Sequence, residues 1–221
     1  MRLDPFYLIV DSAAWVERIV PLGVKLVQLR IKDMPEAALR EEIRRARTLC
    51  AGAGCQLIVN DYWQIAIDEG CDFVHLGQED LADADVAAIR AAGMRLGIST
   101  HDEAELETAL AAQPDYVALG PVYPTVLKRM KWAPQGLDRL SAWRQRIGAL
   151  PLVAIGGLTV ERLEGVFAHG ADSAAVVTDI TLDPNPEGRT REWIEKTTAW
   201  RQYTQWSSTA ELRATRSPSA R

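Results

Sequence analysis

The sequence predicts a TIM-type (β/α)8 barrel, and three observations favour this fold class. Short apolar runs of strand composition recur eight times along the 221 residues. Most are followed by a segment rich in Ala, Glu, Arg and Leu with helical spacing. The first run ends VDSAAW, without the glycine-rich fingerprint that often follows the first strand of a doubly wound open sheet. That open sheet is the alternative, since barrels of this type typically take about 250 residues.

The predicted elements follow one another in strand–helix order. The strands are FYLIV (6–10), KLVQL (25–29), QLIV (56–59), FVHL (73–76), RLGI (95–98), YVAL (116–119), LVAI (152–155) and SAAVV (173–177). The clearest helical patterns are Pro35–Cys50, Leu81–Ala92, Asp102–Ala112 and a closing helix, Arg189–Gln202. We therefore expect one barrel domain over residues 1–202 and a polar, flexible C-terminal tail over residues 203–221.

Composition excludes several classes of protein. The chain is 48% hydrophobic and 25% charged, which is ordinary for a globular domain, and its net charge is −5. This charge argues against nucleic acid or an acidic membrane surface as a partner. Three cysteines without a CxxC pair indicate neither a disulfide framework nor a zinc site, so we expect a reduced, cytoplasmic protein. Composition does not indicate the oligomeric state.

The second predicted strand leads into a cationic cluster. Alternation along KLVQLRIK places Gln28, Arg30 and Lys32 on one face of the strand. Cations at the end of a buried strand are costly unless a negative group meets them. We interpret them as one wall of an anion pocket; the alternative is that they pair with acids of the barrel, such as Asp11 or Asp61.

Polar side chains also follow the other strands, at the end of the barrel where such enzymes carry their chemistry. Asp61 and Asp80 offer hard oxygen ligands of the kind that suit Mg²⁺, although either could instead be the N-cap of the following helix. Glycines and hydroxyls after strands 7 and 8 are typical of a phosphate site built on backbone N–H groups. Together, these features indicate two small phosphorylated substrates. The remaining candidates at this end are Asn60, Ser99, Thr125, Lys128, Gly156, Gly157, Val177 and Thr178.

Seven motifs in order resemble the thiamine phosphate synthase family. They are VQLRIK, LIVNDY, VHLGQED, LGIST, YVALGPVYPT with a following lysine, VAIGGL and GADSAAVVT, and they cover about residues 5–180. The resemblance implies a barrel transferase that joins hydroxymethylpyrimidine diphosphate to hydroxyethylthiazole phosphate. Diphosphate leaves in this reaction, and Mg²⁺ assists.

The resemblance also implies roles for individual residues. The pyrimidine diphosphate would be bound by Gln28, Arg30, Lys32 and Asn60, and Mg²⁺ by Asp61 and Asp80. Ser99 would lie at the reacting centre, and Lys128 would bind the departing diphosphate; with Arg30 these are the catalytic candidates. The thiazole phosphate would be bound by Thr125, Gly157, Val177 and Thr178.

The sequence departs from the family pattern in the loop after strand 6. The family often has Pro-Thr-x-Thr-Lys there, whereas this chain has Leu127 before Lys128, so one hydroxyl is missing. Trp132 in the same loop is a candidate cover for the substrate. His75 is interpreted as a hydrogen-bonded residue inside the barrel, and His101 as a helix-start residue.

Three other functions compete with the synthase. A thiazole tautomerase would need no pyrimidine diphosphate or Mg²⁺. This function is disfavoured by the joint presence of Arg30, Lys32, Asn60, Asp61 and Asp80. A sugar-phosphate epimerase would need an acid–base pair that the sequence does not supply. A non-catalytic barrel that binds thiazole or thiamine phosphate is the third, and binding without turnover would support it.

We expect Lys128→Ala to lower turnover on the order of 10²–10³-fold while the protein stays folded, because one well-placed charge on a leaving group commonly contributes that much. Steady-state release of diphosphate measures the effect. Turnover close to that of the wild type would remove Lys128 from the mechanism.

Overall fold

The chain folds into a closed barrel of eight parallel strands, which confirms the predicted fold class. A computed structural model describes residues 2–125 and 132–214, with the side chains of the last helix described as far as residue 202. The strands are β1 Phe6–Val10, β2 Leu26–Leu29, β3 Gln56–Asn60, β4 Phe73–Leu76, β5 Arg95–Thr100, β6 Tyr116–Leu119, β7 Leu152–Ile155 and β8 Ser173–Val176.

Each strand pairs with the next, and β8 returns to pair with β1. The connecting helices are α1 Ala13–Ile19, α2 Glu36–Ala53, α3 Trp63–Asp68, α4 Gln78–Ala82, α5 Val86–Ala91, α6 Glu103–Ala111, α7 Gly136–Ile147, α8 Leu163–Ala168, α9 Thr178–Thr181 and α10 Pro186–Ala214. None of the described helices is long and apolar enough to cross a membrane.

Two of the predicted helices differ from the structure. The segment predicted as one helix, Leu81–Ala92, contains the end of α4 and the whole of α5. The break is at Asp85, whose carboxylate accepts a 2.9 Å hydrogen bond from the N–H of Ala88 and so starts a new helix. The closing helix α10 runs to Ala214, beyond its predicted end at Gln202. The helix bounds do not test whether residues 203–221 are flexible, so the flexibility of this tail stays a prediction.

The strands separate two apolar cores. The outer core lies between the strands and the helices and includes Val27, Leu29 and Ile31 of the second unit. The inner core fills the lumen, because every second side chain of a barrel strand points inward. Its buried members are Leu3, Tyr7, Ile9, Leu26, Ile58, Phe73, Tyr116, Ala118, Val153 and Ala175.

One layer of the lumen contains a glycine between two rings. Gly97 on β5 is in register with His75 on β4 and with Tyr116 on β6. The His75 and Tyr116 rings stack across it, with centroids 5.6 Å apart and planes 14° apart. A Cβ atom on Gly97 would lie 2.6 Å from the Tyr116 hydroxyl oxygen and closer still to its ring carbons. Glycine is therefore required for these rings to meet.

We expect Gly97→Ala to lower the free energy of unfolding by about 1–3 kcal/mol, because the added methyl group overpacks a rigid lumen. Chemical denaturation measures the change. The matched control is Gly52→Ala on exposed α2, where an added Cβ meets nothing within 4 Å. That variant should be unchanged, or more stable by up to about 1 kcal/mol. Equal stability of the Gly97→Ala variant and the wild type would contradict the prediction.

Candidate active site

Arg30 is the one predicted cation that faces the barrel mouth without an acid partner among the described residues. The loop after β2 is held by a 2.8 Å hydrogen bond from the Arg30 N–H to the Val10 carbonyl. The side chain is half-buried, and its charge helps to lower the pKa of His75, so the guanidinium lies close to the lumen. A partly buried, unpaired cation is electrostatically suited to an anionic ligand.

Lys32 behaves differently, because it forms an ion pair with Asp61. The pairing of a strand 2 cation with an acid of the barrel, given above as the alternative, is thus present for Lys32, and the role of Lys32 in an anion pocket stays a prediction. Asp61 follows β3 with a φ of 66°, a left-handed conformation uncommon for a residue other than glycine. Its N–H donates a 2.9 Å hydrogen bond to the His75 carbonyl, which extends the β3–β4 pairing by one residue. This backbone position directs the carboxylate to the mouth.

The second acid, Asp80, lies in the first turn of α4 and contacts Asp61. Burial, followed by the charge of Asp61 and a hydrogen bond between the two carboxyl groups, raises the pKa of Asp80. Neither acid is a helix N-cap: Tyr62 and Gly77 hold those positions, so the capping alternative is wrong. Two adjacent carboxylates repel one another, and a divalent cation would relieve that repulsion.

A continuous chain of hydrogen bonds crosses the lumen below these charges. Gln28 donates from Nε2 to the Tyr7 hydroxyl at 2.7 Å, and the Tyr7 and Tyr116 hydroxyl oxygens are 2.9 Å apart. The Tyr116 oxygen is 2.7 Å from Nδ1 of His75, and Nε2 of His75 is 2.8 Å from Oγ of Ser99. The chain thus joins two predicted site residues, Gln28 and Ser99, through three others.

Burial sets the chemistry of this chain. Gln28 is 2% exposed, and its amide donates a hydrogen bond to Tyr7 inside the barrel rather than at the rim. Burial lowers the pKa of His75 to about 4; the negative charge of Asp61 opposes this shift, and the positive charge of Arg30 adds to it. His75 is therefore neutral near pH 7, and its interpretation as a hydrogen-bonded residue of the barrel interior agrees with the structure.

Two further predicted residues lie beside the chain. Asn60 ends β3 in register with His75 and is 5% exposed. Ser99 is half-buried near the end of β5, and its carbonyl accepts a 2.6 Å hydrogen bond from Gln78 at the start of α4. This bond ties the helix of Asp80 to the strand of Ser99.

The proposed phosphate corner is formed by the loops after β6, β7 and β8. Gly157 has a φ of 63°, and a Cβ there would lie 2.9 Å from Cβ of Tyr123. The loop before Thr125 can therefore pack directly on the Gly157 backbone. Val177 and Thr178 are half-buried where β8 passes into α9. Lys128 and Leu127 lie outside the described residues.

Trp132 lies against the rim of the barrel. Its ring stacks on the His101 ring with centroids 4.0 Å apart. Nδ1 of His101 is 2.7 Å from a carboxylate oxygen of Glu105. His101 is thus more than a helix-start residue, because it supports the indole that we regard as a candidate substrate cover.

Sequence reasoning missed Tyr7 and Tyr116 and did not connect His75 to Ser99. The sequence did carry a signal for this network: Tyr7 is two residues from Ile9, and Tyr116 two residues from Ala118, so each tyrosine shares the inward face of its strand with an apolar residue. A hydroxyl inside a lumen requires a partner, so inward-facing tyrosines predict a buried polar network. Gly97 would have indicated where the two rings meet.

Cations and paired carboxylates at the carboxyl ends of parallel strands are features of barrel enzymes that bind phosphorylated small molecules. The chain belongs to the thiamine monophosphate synthase family, whose model matches residues 6–180.

Similar proteins support this family assignment. A thiamine-phosphate synthase of Rhizobium etli is 74% identical over 201 residues, which cover 91% of this chain and 98% of that protein. A thiamine-phosphate synthase of Klebsiella pneumoniae is 50% identical over 175 residues, covering 79% and 83%. The solved thiamine phosphate pyrophosphorylase of Pyrococcus furiosus matches with a TM-score of 0.79 at 25% identity, covering 89% of this chain and 96% of that one.

We expect Asp80→Asn to make the chelator-treated protein more stable than the wild type, by no more than about 1 kcal/mol for a partly exposed pair. The amide removes one of two like charges. Thermal unfolding in excess EDTA measures the change. The control is Asp83→Asn, an exposed acid on the same segment, which should leave the melting temperature unaltered. A less stable Asp80→Asn protein would show that the two carboxylates do not repel.

Proposed function

We propose that this chain is a thiamine-phosphate synthase, a transferase that joins a pyrimidine diphosphate to a thiazole phosphate and releases diphosphate. Family membership supports the reaction class. The observation that carries the assignment to this site is the half-buried Arg30, unpaired within the described residues, at the same mouth as Asp61 and Asp80.

The diphosphate would lie between Arg30 and the Lys32–Asp61 pair. Arg30 can donate two parallel hydrogen bonds to phosphate oxygens, which suits a bidentate contact. Lys32 is exposed on a flexible stem, so it can turn from Asp61 toward the ligand. Asn60 and Ser99 would add hydrogen bonds from uncharged side chains. Lys128 would bind the diphosphate as it departs.

Asp61 and Asp80 are the residues that would hold Mg²⁺. Their carboxylate oxygens are hard ligands, and their mutual contact gives the crowded negative charge that such an ion neutralises. No group of three or more His, Cys, Asp or Glu side chains in the described part of the chain forms a further metal site. Diphosphate oxygens and water would therefore complete the coordination. When bound, Mg²⁺ supplies charge stabilisation to the leaving diphosphate.

The thiazole phosphate would bind at the corner formed by Thr125, Gly157, Val177 and Thr178. Backbone N–H groups are the donors expected there, and Leu127 supplies no hydroxyl. The thiazole nitrogen is already nucleophilic, so the site needs no strong general base. The site residues would instead position the two substrates and stabilise the departing negative charge.

We further propose that residues 1–202 carry this activity as one domain, with 203–221 outside it. The partners are two small phosphorylated substrates. A cytoplasmic location agrees with the three free cysteines, Cys50, Cys55 and Cys71.

The experiment is an assay of the purified full chain with both substrates, with Mg²⁺ and with EDTA. We expect thiamine phosphate and equimolar diphosphate with Mg²⁺, and a loss of turnover with EDTA. Binding of the thiazole phosphate without turnover would instead support the non-catalytic barrel. Turnover that is indifferent to EDTA would exclude the role given to Asp61 and Asp80.

Within this assay, Arg30→Gln should lower kcat/KM on the order of 10²–10³-fold, because it removes an electrostatic contact to the leaving group. The matched control is Arg45→Gln on the outer surface, where Arg45 pairs with Glu17. The control should have wild-type kinetics. Equal activity of the two variants would contradict a diphosphate contact for Arg30.

A further inference from the structure

The hydrogen-bond chain across the lumen has a direction that can be derived by counting its protons. An amide nitrogen only donates, so Tyr7 accepts from Gln28 and must place its single hydroxyl proton elsewhere. Tyr116 is its one other hydrogen-bond neighbour among the described residues. Tyr7 therefore donates to Tyr116, and Tyr116 must then donate to Nδ1 of His75.

This direction determines the tautomer of His75. A ring nitrogen that accepts a hydrogen bond carries no proton, so the proton of the neutral ring lies on Nε2. Nε2 then donates to Oγ of Ser99 at 2.8 Å. The reverse direction would leave the Tyr7 hydroxyl proton without an acceptor at a residue that is 1% exposed. An unsatisfied buried donor costs about 1–3 kcal/mol, which disfavours that arrangement.

The state of the Ser99 hydroxyl follows from the tautomer. Because Oγ accepts from His75, the Ser99 proton cannot point back at the ring. Ser99 is half-buried at the mouth, and its hydroxyl has no other hydrogen-bond partner in the described residues. Its proton is therefore free to point to the space that Arg30 also faces.

We propose that the buried chain Gln28–Tyr7–Tyr116–His75 acts as an orienting relay, which holds the Ser99 hydroxyl as a hydrogen-bond donor to the departing diphosphate. The role at the diphosphate rests on the proposed synthase function. Tyr7, Tyr116 and His75 are positioning residues in this relay. No bond is formed or broken within it, since it fixes only the direction of the hydrogen bonds.

The relay explains how the Ser99 hydroxyl can have a fixed orientation, which the charged residues at the rim do not explain. A lone serine at a strand end can rotate and present either a proton or a lone pair, and a lone pair would repel a phosphate oxygen. The stacking of Tyr116 on His75 across Gly97 holds both rings in place. The donor is thus preorganised, which is what makes such contacts effective on developing negative charge.

The first test measures the His75 tautomer in the substrate-free protein by ¹⁵N NMR, with the signals of the three histidines assigned by substituting His101 and His169 in turn. We expect the proton on Nε2 at pH 7.5. A proton on Nδ1, or on both nitrogens, would overturn the relay. This result does not depend on the synthase assay, so failure of the relay and failure of the proposed function remain distinguishable.

The second test is a double-mutant cycle on diphosphate release. Ser99→Ala should lower kcat by about 10²-fold, as for loss of one preorganised donor. Tyr116→Phe should lower kcat by about tenfold with KM for the thiazole phosphate unchanged, since it removes the buried hydrogen bonds to Tyr7 and to His75 that set the direction of the relay. In the Ser99→Ala background, Tyr116→Phe should have no further effect, because it acts only through Ser99. Additive losses would overturn the proposal.

A control separates the relay from loss of stability. Thr197→Val removes a buried 2.7 Å hydrogen bond to the Trp193 carbonyl, on α10 and outside the relay. It should lower the melting temperature and leave kcat unchanged. Affinity for inorganic diphosphate with Mg²⁺ gives a readout without turnover: it should fall in Ser99→Ala and Tyr116→Phe but not in Thr197→Val. Equal affinity in all three variants would contradict a Ser99 contact with diphosphate.

Discussion

Closure of the parallel ladder is the constraint on which the rest of this structure depends. Because every strand pairs with its neighbours in a fixed register, side chains far apart in sequence share one layer of the lumen. Gly97 meets both His75 and Tyr116 for this reason. The same closure brings the residues after β2, β3 and β4 to one mouth, where Arg30, Lys32 and Asp61 lie together. A shift of the register by one residue would turn the inward side chains outward. The lumen layer and the charged cluster at the mouth would then both be lost.

Among the described residues, the charged groups at the mouth do not fully neutralise one another. Asp61 has a left-handed backbone and lies against Asp80, while Arg30 is partly buried without an acid partner among the described residues. Each of these features opposes folding to a modest extent, and the two apolar cores offset them. Such local conflict is typical of a site that is completed by its substrates. The Lys32–Asp61 pair shows one way in which the ligand-free protein satisfies part of this charge.

Ser99 lies between two groups of residues, the charged residues at the rim and the neutral hydrogen-bond chain inside the lumen. Charged residues at the rim provide attraction for a diphosphate, whereas the neutral chain beneath provides direction. Charges act over several ångströms and tolerate small displacements, but a hydroxyl proton contributes only if it points correctly. A buried network in which the hydroxyl protons of Tyr7 and Tyr116 each have an acceptor fixes that direction before the reaction begins. The aromatic rings of the network also fill the lumen, so one set of side chains serves both packing and orientation.

By itself, the sequence determined the repeating units of the barrel, since apolar runs and helical segments alternate with local periods that any window reveals. It also placed Arg30, Asp61, Asp80 and Ser99 at strand ends, because chemical type and position along a strand are local properties. Only the tertiary structure decided that Lys32 pairs with Asp61, that α4 and α5 are separate, and that Gln28 reaches Ser99 through His75 and two tyrosines. Those contacts depend on which strands face one another across the closed lumen. A local sequence pattern contains no information on how residues far apart in the chain are arranged in space.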